Sequence, residues 1–126
     1  MKFSCLMAIK AVVCLFFGIL LVLLPEALLS LLGVTVGVGG ILMARLYAAS
    51  LFGNLMLTWF ARKAEESATR HAIVLDLFVY DAVGFVVALI AVLTGVMGPL
   101  GWLIVALYLL LTIGFGTFLK AKPSTA

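Results

Sequence analysis

The chain has 126 residues, of which 67% are hydrophobic and 10% charged, whereas soluble domains average about 45–50% apolar and about 25% charged residues. With a mean hydropathy of +1.40 its surface cannot be solvated by water, so a soluble domain is excluded and the length divides into membrane spans of about 20 residues each. The net charge of +3 brings nucleic acid to mind, but the basic residues form no patch with interleaved aromatics, so the expected partner is the lipid bilayer and not nucleic acid.

The opening MKFSCLMAIKAVVCLFFGILLVLLPEA sets Lys2 before an apolar run, as secretory signals do, but lacks a small-x-small cleavage pattern. In AVVC, Val13 stands where lipoprotein sites carry a small residue. Cys5 to Leu24 is therefore read as a first transmembrane helix. Cys5 and Cys14 would lie about 13 Å apart along it on opposite faces, which excludes a disulfide between them. Pro25 then suits the first turn of a short helix and Glu26 its positive end. Gly33 can end that helix in the left-handed conformation, which lays PEALLSLL along the interface before VTVGVGG returns the chain to the membrane.

The second span is expected over 41–61 and is followed by the aqueous loop RKAEESATRH. A third runs from 72 to 94, GVMGPLG turns the chain, and the fourth covers 102–119. KAKPSTA reads as a disordered tail. The fold class is thus all-α: one domain over 1–126, an antiparallel four-helix membrane bundle with a short interfacial helix between the first two spans. Seven of the eight basic residues, Lys2, Lys10, Arg62, Lys63, Arg70, Lys120 and Lys122, fall on one side of a four-span path, so the positive-inside rule sets both termini in the cytoplasm. Trp59 and Trp102 fit interfacial anchors. GILMARLY and GWLIVALY each open with Gly and place Tyr seven residues later, a faint sign of duplicated helix pairs.

Polar residues inside the spans mark the candidate site. The stretch VLDLFVYDAV holds two acids. Counted from the cytoplasmic ends at about 1.5 Å per residue, Asp76 and Lys10 are both shallow and can pair, with Arg70 and His71 close by. Asp81 lies deeper, level with Asn54 and Cys14 and near Thr112. Tyr47, Ser50, Asn54 and Thr58 form one helical stripe, and Tyr108, Thr112 and Gly116 another. Asp81, Gly84, Ala88 and Ala91 or Val92 make a third face, small enough for close contact. These stripes should face the bundle centre, because lipid offers no hydrogen-bond partner. With no cation counted at its depth, Asp81 is expected to be a neutral acid. Arg45 is matched with Glu26, Asp81 being the more distant alternative.

Catalytic chemistry finds no support. His71 is the single histidine, no His, Cys, Asp and Glu set has metal-ligand spacing, and VGVGG lacks the Lys-Ser/Thr ending of a phosphate loop. No enzyme, metal or cofactor is expected. Small multidrug transporters are four-span chains of this size, but their proton-coupling glutamate sits in the first helix, where this chain has Lys10 and no acid. GVGGILMARLY looks like the Gly-Gly…Arg-Tyr opening of dual-topology fluoride channels, which belongs there to the first span and here to the second. PEALLSLLGV, ARLYAASLFGNLMLTWFAR and VYDAVGFVVAL, together about a third of the chain, resemble uncharacterised small four-helix bacterial membrane proteins. That resemblance implies the fold and a bacterial inner membrane, and no activity.

Two functions remain. One is a non-enzymatic interaction or accessory module that joins a membrane-protein partner or a second copy through small residues such as Gly53 and Gly84. The alternative is a proton-linked carrier or binding protein for a small amphipathic or apolar ligand, centred on Asp81, Asn54, Tyr108 and Thr112. A cavity lined by these residues would favour binding, and tight packing around them an interaction role.

Overall fold

The computed structural model describes residues 2–119, which form five helices and, among the described residues, no strand. These are α1 (Phe3–Leu23), α2 (Pro25–Leu31), α3 (Val38–Ala61), α4 (Ala68–Leu93) and α5 (Gly101–Leu119). All but α2 are long and apolar enough to cross a membrane; at about 1.5 Å per residue they reach about 28–39 Å, against a hydrocarbon core of about 30 Å. The KAKPSTA tail lies outside the described residues.

Helix ends follow local chemistry. Pro25 begins α2 and Glu26 stands in its first turn, as expected from a missing N–H and a favourable dipole. Gly33 closes it with φ at 77°. A Cβ there would come within 2.8 Å of the Gly98 nitrogen, and that same Gly98 N–H donates to the Leu32 carbonyl at 2.7 Å. The segment after α2 is thereby tied to the α4–α5 turn. At α4 the expected start of 72 is corrected to Ala68, because Ser67 caps the helix by accepting the Arg70 N–H at 3.2 Å. The aqueous loop shortens to 62–67.

Two helix pairs, α1 with α3 and α4 with α5, carry most of the packing. They meet at the Phe3 end of the molecule, where Phe3, Leu6 and Met7 of α1 join Val74 and Leu77 of α4 and Leu111 and Phe115 of α5 in a buried apolar cluster. Arg70 lies 3.8 Å over the Phe3 ring, and Phe118 meets that ring edge-on with centroids 5.4 Å apart. Toward the α2 end a second cluster, Cys14, Leu21, Ala48 and Leu51, joins α1 to α3. There a cavity lies between the two pairs.

Candidate functional site: a buried ion pair beside an apolar cavity

Where the first cluster ends, α1 turns Lys10 inward and α4 turns Asp81 toward it. Lys10 Nζ donates to Asp81 Oδ1 at 2.6 Å, and the side chains are 2% and 0% exposed. The sequence reading that paired Lys10 with Asp76 is corrected: Asp76 is exposed on the outer face of α4. Asp81 has a cation beside it after all, and so is not isolated as expected. The contact of Arg70 with Phe3 shows that the starts of α1 and α4 share one end. Counted from there, Lys10 stands seven residues along and Asp81 eleven, an axial gap of about 6 Å. The four-carbon lysine stem spans it.

Arg45 does not turn to Glu26, which is exposed. Its Nε–H donates to the Val22 carbonyl at 3.2 Å, in the last turn of α1, where carbonyls lack helical partners and the dipole favours a cation.

Tyrosines surround the ion pair. Lys10 Nζ lies 4.8 Å from the centroid of the Tyr80 ring, a cation–π distance. Tyr80 in turn stacks on Tyr47 with centroids 6.5 Å apart and planes within 4°. The hydroxyls of Tyr47 and Tyr108 are hydrogen-bonded to each other. Gly84, three residues beyond Asp81, makes this possible, since a Cβ at that position would collide with the Tyr108 ring. Tyr80 was missed in sequence because neighbours at i and i+1 do not share a helix face; its polar tip within a span was the available signal.

Of the remaining expected site residues, Asn54 lies half-buried with its Nδ2 lacking a partner. Thr112 returns its hydroxyl to the Tyr108 carbonyl at 2.7 Å, and Thr58 donates to the Asn54 carbonyl at 2.8 Å, so neither serves Asp81. Ser50 is exposed. Two further buried atoms beside the ion pair, Asp81 Oδ2 and Tyr80 Oη, have no hydrogen-bond partner.

Next to this cluster lies a cavity of about 270 Å³. Lys10, Cys14, Tyr47 and Tyr108 line one end, and Leu28 of α2 with Met97 of the α4–α5 turn border the other. The wall between is aliphatic and aromatic. Cys14 sits one helical turn from Lys10 on the same face and is fully buried. Among the described residues, no three His, Cys, Asp or Glu side chains come together as metal ligands. The arrangement offers an apolar enclosure with a polar end whose formal charges cancel. Comparison with protein-family models, curated proteins and solved structures yields no match.

Proposed function

We propose that this is a multi-pass protein of a bacterial inner membrane, an antiparallel four-helix bundle with both termini cytoplasmic, that binds or carries a small apolar or amphipathic molecule without catalysing a reaction. One observation carries the reading: the cavity is bounded by polar residues, Lys10, Cys14, Tyr47 and Tyr108, that gather around the buried ion pair, although of the four residues expected to centre a binding site only Tyr108 is among them and Asp81, Asn54 and Thr112 lie outside the lining. Ligand sites are mostly apolar enclosures with a few convergent polar groups. The outward faces suit lipid, with Phe60 78% and Leu110 67% exposed. The orientation rests on the one-sided placement of Lys and Arg. In a background free of native cysteines, a cysteine at Ala68 should be labelled only after permeabilisation and one at Val96 from outside.

The test of binding is copurification in gentle detergent followed by mass spectrometry of small molecules. A specific molecule should accompany the wild type and be lost from Ala91→Phe, which projects a ring into the cavity from α4. Stability of that variant should change by no more than about 1–3 kcal/mol. Equal recovery from both proteins would refute the site. A second reading, an interaction module, draws on α3, where Gly53 faces open space on a helix that is largely uncovered; a partner helix or a second copy would pack there.

A further inference from the structure

The polar end of the cavity is electrically closed. Lys10 and Asp81 neutralise each other at 2.6 Å, and both are at least nine-tenths buried. A ligand that carried its own charge to this end would leave one uncompensated ion in a low-dielectric site, which is costly. The same place still has unused hydrogen-bonding capacity. An ammonium has three donors, and Lys10 spends one on Asp81 Oδ1 while facing the Tyr80 ring. The hydroxyls of Tyr47 and Tyr108 also line the cavity; one spends its hydrogen on the other, so the pair keeps one hydrogen to give and lone pairs to accept. Buried donors and acceptors are seldom left with such capacity unless another molecule completes them.

From these two facts, and resting on the cavity being a ligand site, we infer that the ligand is an uncharged amphiphile with an alcohol-type head at the Lys10–Tyr108 end and an apolar body toward α2. A hydroxyl suits this end because it gives one hydrogen and accepts others, matching a mixed set of donors and acceptors. The cavity volume of about 270 Å³ lies near the lower end of ligand pockets, about 300–1,000 Å³, which fits a single slender chain. A fatty-acid anion or an alkylammonium of the same length is disfavoured by its charge, and a bare alkane by leaving the polar end unmet.

The test uses four photoreactive probes of equal chain length, the diazirine derivatives of decane, decanol, decanoate and decylammonium, on the full-length protein in zwitterionic nanodiscs. Adducts are located by peptide mass spectrometry. Phe16 and Ile113, which face outward, report how much of each probe is in the bilayer. Normalised to them, decanol should label Met97 and Ile104 of the cavity wall about tenfold more than any other probe. Equal or greater labelling by decanoate or decylammonium overturns the neutral-head inference and leaves the binding site standing. Equal labelling by decane overturns the requirement for a head group. Absence of cavity labelling by all four overturns the ligand site itself and this inference with it. A second arm uses Asp81→Asn, which leaves Lys10 without its counter-charge, so the preference should move from decanol to decanoate. A folded variant that keeps the wild-type order of probes overturns the role given to charge cancellation, and the wild-type arm decides the question where the variant does not fold.

Discussion

The contact between Lys10 and Asp81 is the most consequential pair of side chains in the molecule, because each is stable in its place only while the other is present. A short, charge-assisted bond offsets the removal of two ions from water, yet such pairs are often no more stable than apolar side chains of the same volume. Removing one partner is the damaging change. Lys10→Met alone and Asp81→Leu alone should each cost about 3–5 kcal/mol, while the double variant should lose far less than the sum. Equilibrium unfolding of the four proteins in mixed micelles measures this coupling. Additive losses would mean that the two residues do not act as a pair. Lys10, though shallow by count, does not turn to the surface, because snorkelling suits a lysine with only lipid beside it and α4 presents Asp81 instead.

At the scale of the helix, small residues decide which elements come close. Gly84 allows the Tyr108 ring onto α4, and with it the hydroxyl contact that bridges α5 to α3. Gly53 has open space before it. Gly84→Ala should therefore lose about 1–3 kcal/mol through forced movement of Tyr108, whereas Gly53→Ala in the monomer should gain up to about 1 kcal/mol from helix propensity. The same unfolding assay compares them. Equal effects would remove the special role of Gly84, and a loss at Gly53 would favour association through α3. Much of this level was legible in the sequence. Pro25, Glu26 and Gly33 marked α2, the apolar runs gave four long helices, and Asp81, Gly84 and Ala88 were placed on one packed face. Missing were the height and rotation of one helix against another, which no single chain pattern contains. For that reason Lys10 was given to Asp76, Arg45 to Glu26, and Tyr80 was passed over, although Asp81, Tyr47 and Tyr108 were rightly brought into one region.

Across the whole molecule the site is shared evenly between two halves. The α1–α3 pair supplies Lys10 and Tyr47, and the α4–α5 pair supplies Asp81 and Tyr108. Both tyrosines occupy the same position in the faint GILMARLY and GWLIVALY repeat, and they bond to each other. Apolar contact alone is weak glue between such halves in a bilayer, since lipid is as apolar as leucine. The buried cluster at the Phe3 end contributes packing, and the ion pair adds a reason for one half to prefer the other over lipid. If that is its role, the covalent loop at 62–67 can be cut without losing the assembly. Fragments 1–63 and 64–126, coexpressed with a tag on one, should copurify from membranes. Asp81→Leu in the second fragment strands Lys10, and with a penalty of about 3–5 kcal/mol it should reduce recovery of the untagged partner by a hundredfold or more at limiting expression, about 1.4 kcal/mol per factor of ten. Adding Lys10→Met to the first fragment removes the stranded charge and should restore most of the yield. Undiminished recovery with Asp81→Leu alone would assign the union of the halves to packing at the Phe3 end and leave the ion pair a role in the cavity only.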